Sequence, residues 1–277
     1  MVTSVGGQAV IEGVMMKYES RIAVAVRDPS KNIVVRKVEL KVKENKIPFV
    51  RGVVNLFVMM FIGVKTLNIS ADIALGKEET KKSNVSLVIA LGVSLIFALF
   101  LFKLLPLLVA QVVDKKFSLN SFEFNFIDGL VRFLVLLLYL GGISRIKDIQ
   151  RVFQYHGAEH KVVNCFESGK ELTVKNVQSF TTVHKRCGTT FVFLVLFVSI
   201  FVFMLIPKSL PFGEKLGLRI LFLPLIASVS YEILRLGAKY SFLKPLIFPG
   251  LLIQKITTRE PDDSQVEVAI ESLKAVL

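Results

Sequence analysis

The stretch VSLVIALGVSLIFALFLF, residues 85–102, contains no charged side chain, and its length decides the class of fold. A helix needs about 20 mainly apolar residues to cross a bilayer, and shorter apolar runs serve other purposes. This run resumes beyond Lys103 and continues to Val113, which leaves length to tilt or to bend at Pro106. Three further segments qualify as spans: Phe124–Ile143, Thr189–Ile206 and Leu218–Leu236. In the first of these, Asp128 and Arg132 stand one turn apart and can neutralise each other as an interfacial pair near the outer end of their helix. In the last, Arg219, Glu232 and Arg235 lie near the two ends, where long side chains can snorkel.

Two other apolar segments read differently. Phe49–Ile69 is interrupted by Arg51, Asn55 and Lys65, so it reads as an interfacial helix. Phe242–Ile253 contains Lys244, Pro245, Pro249 and Gly250 and reads as an interfacial or re-entrant piece. Composition agrees with a membrane class: 53% of residues are apolar, mean hydropathy is +0.60, and there are 23 phenylalanines and no tryptophan.

The net charge of +13 is orientation charge facing an anionic leaflet, because the aromatic and basic interleaving of a nucleic-acid groove is missing. With four spans and the N-terminus inside, residues 1–84, 144–188 and 237–277 hold 14, 8 and 5 basic side chains, and the outer loops hold only Lys115, Lys116, Lys208 and Lys215. The positive-inside rule therefore puts both termini in the cytoplasm of a multi-pass protein. The expected partners are the lipid bilayer and membrane proteins, including further copies of the chain.

The resulting organisation is a cytoplasmic, β-containing region over 1–84 with an interfacial helix at 49–69, then spans one and two over 85–143. A cytoplasmic histidine-rich segment follows over 144–188, then spans three and four over 189–236, and an interfacial segment with a C-terminal helix over 237–277. The fold class is a helical membrane protein with a small cytoplasmic α+β portion. Arg21–Arg27 and Ile33–Leu40 form its predicted β-hairpin across the turn-forming residues 28–32. Gly6–Gly13 reads as a tight turn entering that sheet, and its glycines also permit close approach of backbone to a ligand. Residues 261–277 suit an amphipathic helix with Ser264 as N-cap.

All three histidines, His156, His160 and His184, fall within 29 residues; Cys165 lies among them and Cys187 follows three residues after the last. Asp148–Ser168 has helical spacing and ends at Gly169, so His156 and His160, at i and i+4, project from one face. Two neutral imidazoles so placed suit one divalent ion, zinc above all. The string His156-Gly157-Ala158-Glu159-His160 matches His-x-x-Glu-His, in which the carboxylate acts as general base. The third ligand is His184, Cys187 or Glu167. With three ligands, a position stays open for hydrolysis; with His156, His160, His184 and Cys187 all bound, the ion is a structural clip. The bland alternative is ordinary histidines satisfied by hydrogen bonds. Arg186 is placed either to stabilise an oxyanion or, as is commoner, to anchor the start of a span.

Four strings together, GGQAVIEGVMM at 6–16, PFVRG at 48–52, YHGAEHK at 155–161 and HKRCGT at 184–189, resemble the YqhQ-like family of bacterial membrane proteins (DUF1385) over nearly the whole chain. The resemblance implies a metal-dependent protein of the bacterial cytoplasmic membrane, without a settled reaction. It also implies that Gln8, Glu12 and Arg51 join the histidine region at one cytoplasmic site, with Glu12 as a further ligand or acid. The function expected is a metal-dependent hydrolase at the cytoplasmic membrane face. The alternative is a non-catalytic scaffold or assembly factor with a structural metal. A transporter is disfavoured by the scarcity of charge deep in the spans.

Overall fold

The computed structural model describes residues 5–39, 47–76 and 84–277. Four strands open the chain: β1 (Val5–Val10), β2 (Gly13–Tyr18), β3 (Arg21–Arg27) and β4 (Ile33–Lys37), paired antiparallel in the order β1-β2-β3-β4. The hairpin expected over 21–40 is present as β3 and β4, with Leu40 outside the described residues. Its turn is held by Asp28, whose carboxylate accepts the Asn32 N–H at 2.8 Å. The glycine-rich stretch over 6–13 is mostly strand: β1 turns back at Ile11 and Glu12, with Glu12 at φ 52°, and pairs Val10 with Gly13. Glycine is a poor strand former, which hid β1 from propensity. Packing explains it, because a Cβ on Gly13 would lie 2.2 Å from the Ala25 carbonyl oxygen.

Alternation then sends successive side chains to opposite faces of the sheet. Val14, Met16, Ala23 and Ala25 face α5 (Lys147–Glu167) and α11 (Asp263–Lys274), which contribute Tyr155, Ala158, Val162, Ala269 and Leu273 to one core. Met15, Ile22, Val24 and Val26 face the second half of α1 (Val50–Ala74), where Ile62 is buried among them. A sheet of four short strands is thus covered by helices on both sides. The cap of α11 is Asp262 and not Ser264: its carboxylate accepts the Gln265 N–H, Gln265 reaches back to the Asp262 N–H, and Ser264 donates to Asp262.

The remaining helices form a bundle: α2 (Asn84–Leu99), a π-helical turn at Phe100–Leu104, α3 (Leu105–Phe117), α4 (Ser121–Ile143), α7 (Gly188–Met204), α8 (Phe212–Leu221), α9 (Leu223–Lys239) and α10 (Lys244–Thr257). The short α6 (Val174–Gln178) lies on the loop between α5 and α7. Three helices among the described residues are long and apolar enough to cross a membrane: Val50–Ala74, Val88–Phe117 and Ser121–Ile143. A fourth appears if α8 and α9, bent by 42°, count as one. The charges in α1 that argued for interruption do not break the helix, because Arg51 pairs with Glu232 of α9. The apolar α7 is 17 residues long, at the lower limit for a span.

Asp128 and Arg132 do not form a pair at the surface; each is 1% exposed. Arg219 joins them from α8, donating to Asp128 at 2.7 Å and to Asn125 at 3.0 Å, and Arg132 donates to Ser199 of α7 at 2.7 Å. A length of helix that hydropathy places near its end is interior once three helices pack around it. Arg219 and Glu232, expected to snorkel at the ends of a span, are both buried partners of other helices.

Candidate metal centre

The helix expected over Asp148–Ser168 is α5, and it ends at Gly169 with φ +73°. One turn of it carries the histidine pair, whose ring centroids lie 4.4 Å apart. His156 places Nδ1 2.8 Å from the Thr257 carbonyl oxygen at the end of α10. His160 places Nδ1 2.6 Å from the carbonyl oxygen of Thr182 in the loop before α7. A carbonyl only accepts, so each Nδ1 carries a proton and Nε2 is the ring atom left to face the other donors. This is the outer arrangement that fixes the tautomer of a metal-binding histidine. Burial lowers the His160 pKa, partly offset by Cys187, and this favours the neutral ring a metal needs.

The two Nε2 atoms converge on Cys187, the N-cap of α7. Ligand bonds of about 2.0–2.1 Å to nitrogen and 2.3 Å to sulfur at a tetrahedral angle would set N and S roughly 3.5 Å apart. His156 Nε2 and Cys187 Sγ stand 3.3 Å apart. One donor atom from each of His156, His160 and Cys187 lies within 4.8 Å of the others, the group that qualifies among the described residues. The Thr189 N–H donates to the sulfur at 3.3 Å and orients it. The donor set, two imidazoles and a thiol, therefore fits a borderline divalent ion such as zinc.

Glu159 borders this group. Its Oε2 is 3.6 Å from His160 Nε2, it is buried, and the Gly7 N–H of β1 hydrogen-bonds its carboxylate. Burial raises its pKa, and the neighbouring His156 and His184 oppose that shift. The close fit depends on glycine: a Cβ on Gly7 would lie 2.8 Å from Glu159 Cγ and 2.7 Å from the Met15 carbonyl oxygen. Gly157, between the two histidines, is equally constrained, since a Cβ there would lie 2.0 Å from the Arg259 carbonyl oxygen. The Gly6–Gly13 stretch is thus mostly strand rather than the expected tight turn, and at Gly7 its backbone closes on the Glu159 side chain.

Of the other predicted residues, His184 lies beside this group, and Glu12, Gln8 and Arg51 are held by partners outside it. His184 turns Nε2 to Glu167 at 3.4 Å, with its ring centroid 5.7 Å from that of His160. Glu167 is also paired with Arg186, whose guanidinium lies 3.4 Å from the Val5 carbonyl oxygen. Burial works to raise the Glu167 pKa, but His184 and Arg186 outweigh it and hold the carboxyl low. Both candidate extra ligands, His184 and Glu167, are thus bonded to each other beside the group. Glu12 faces Arg151, which donates to it at 2.6 Å, and Tyr155, with their oxygens 3.4 Å apart. Gln8 packs on Gly63 of α1, and Arg51 is held by Glu232 in the bundle. Cys165 is buried with a free thiol that lies near the Lys170 and Glu171 carbonyls.

Sequence reasoning missed the carbonyls of Thr182 and Thr257, the Gly7 N–H and Gln254. Backbone groups leave no sequence signal. Gln254 does leave one, a lone carboxamide after the apolar Leu251-Leu252-Ile253, and it is fully buried. Its side chain accepts the His184 N–H and donates to the His184 carbonyl, both at 2.9 Å, and so fixes the loop that carries Cys187.

The profile of a family described as "Protein of unknown function (DUF1385)" matches residues 47–277. The chain is 38% identical over 293 aligned residues to the "Uncharacterized protein YqhQ" of Bacillus subtilis (strain 168), covering 98% of this chain and 92% of that one. No solved structure matches.

Proposed function

This chain belongs to the DUF1385 family, whose description assigns no reaction, and from its own geometry we propose that it is a metal-dependent hydrolase of the bacterial cytoplasmic membrane. The observation that carries the reading is a three-donor group with a buried carboxylate beside it. His156, His160 and Cys187 would hold the ion, zinc by donor type, which leaves a coordination position open, as catalytic sites do. The ion would supply Lewis-acid polarisation of the scissile group. Glu159 would accept the proton of an attacking water as its oxygen bonds to the electrophilic centre, and would return that proton to the leaving group as the old bond breaks. Burial raises the Glu159 pKa, the direction that makes a carboxylate a stronger base. Thr257 and Thr182 hold the rings, and Gly7 positions the carboxylate.

The site lies where the sheet layer meets the bundle, and the excess of basic residues in the flanking segments supports a cytoplasmic position for that side. In this topology, α2–α3, α4, α7 and α8–α9 cross the bilayer. Helix α1 does not, because its second half covers the sheet that precedes it in the chain.

Metal analysis of the protein purified without chelators tests the proposal. The expected outcome is about one equivalent of metal in the wild type, its loss in His160→Ala and Cys187→Ser, and its retention in Glu159→Gln with loss of the cellular phenotype. Wild-type protein free of metal overturns the reading. A fully functional Glu159→Gln reduces the ion to a structural clip.

A further inference from the structure

Between α1, α4, α7 and α9 lies a cavity of about 610 Å³, within the range of small-molecule sites. Leu56 and Phe57 of α1, Leu136 and Leu140 of α4, Val192 of α7 and Ala227 of α9 are among its walls. No charged or carboxamide side chain lines it, and its hydroxyls come from Tyr139, Thr189 and Thr257. Phe57 and Val192 are 59% and 44% exposed, so the cavity opens sideways between helices.

Its polar end adjoins the metal centre. Thr189 and Thr257 are hydrogen-bonded to each other through their hydroxyls at 3.0 Å. The same two residues hold two of the three candidate ligands: Thr257 accepts from His156 at 2.8 Å, and the Thr189 N–H donates to Cys187 at 3.3 Å. One pair of side chains thus separates an apolar chamber from the reactive group.

We propose that the substrate is a membrane lipid, with one acyl chain in this cavity and its polar end beside Glu159 and Cys187. The inference rests on the hydrolase reading for what happens at the polar end, but the tail site stands on the cavity alone. An apolar space of this size gains nothing from water, which needs polar partners. Left empty, it forfeits the dispersion contacts of its walls. The occupant available between helices in a bilayer is a hydrocarbon chain, which enters from the side. A soluble substrate would instead need polar groups along the cavity, and the walls supply three hydroxyls, two of them already paired.

The test uses full-length protein in nanodiscs doped with a phosphatidylglycerol that carries a diazirine midway along one acyl chain. Light should place adducts on the segment 192–196 and on Leu136, at least tenfold above those on the outward face of α2 around Val93 and Ile96. Ala227→Phe and Leu196→Trp should each cut that labelling severalfold and keep wild-type metal content, which also verifies folding. His160→Ala should lose metal and keep the labelling. Adducts spread evenly over all apolar faces, or unchanged in both filled variants, overturn the tail site whatever the metal content. Specific labelling of a wild type that holds no metal overturns the hydrolase reading and leaves the tail site standing.

Discussion

At the scale of the residue, Glu159 is the group whose burial has the plainest thermodynamic consequence. Its folded pKa is raised, so above the ordinary carboxylate value the native chain keeps a proton that the unfolded chain has released. The native state then binds more protons, and stability falls as pH rises through that window. His160 acts at the other end: its lowered folded pKa means that stability is lost as pH falls below the ordinary histidine value, about 6.5. In metal-free protein, Glu159→Gln should therefore melt higher than the wild type at about pH 8, and the gap should close toward about pH 5. Thermal melts across that range check it, and equal pH profiles for the two proteins would refute it. A buried carboxylate that costs stability is what a functional position shows when activity opposes stability.

At the scale of the element, α5 and α11 need each other and the sheet. Neither the amphipathic α11 nor the four-stranded sheet buries an apolar face alone, and Val266, Ile270 and Leu273 meet Val14, Met16 and Ala25 in one core. The reciprocal cap at Asp262 fixes where α11 starts. Asp262→Ala should cost about 0.5–2 kcal/mol, read as a lower melting temperature, while the conservative Asp262→Asn should cost less. Burial works to raise the Asp262 pKa, but bonds from Ser264 and Gln265 outweigh it and leave it lowered. Its ionised form therefore stabilises the protein above the ordinary aspartate value, about 3.9, and that contribution fades as pH falls through the lowered one.

At the scale of the whole molecule, the bundle is held by a charge network that spans α4, α7 and α8. Lys103, Arg132 and Arg219 each lie about 5 Å from the Phe203 ring, and Asp128 is the anion between the two arginines. Removing that anion strands buried cations. Asp128→Asn should cost about 3–5 kcal/mol, against at most about 1 kcal/mol for Asp114→Asn, whose pair with Lys208 is partly exposed. Thermal unfolding in detergent distinguishes the two. For the proposed topology, Lys116→Cys should react with an impermeant maleimide added to intact cells, and Lys175→Cys should react only after lysis. The reverse pattern inverts the orientation.

The sequence by itself determined the apolar class of the chain, the β3–β4 hairpin, the histidine helix to within one residue at each end, and the residue types that could hold an ion. These are legible because hydropathy, turn chemistry and i, i+4 spacing are local properties, read within a few residues of each other. Strand β1, the burial of Asp128 with Arg219, and the choice of Cys187 over His184 and Glu167 as partner of the histidine pair were decided only by tertiary structure. Each depends on groups far apart in the chain: Gly7 meeting Glu159, α8 closing over α4, and the Thr182 and Thr257 carbonyls aiming two rings at the start of α7. Backbone carbonyls are the same at every position of a sequence, so only the fold can tell which of them orient a site.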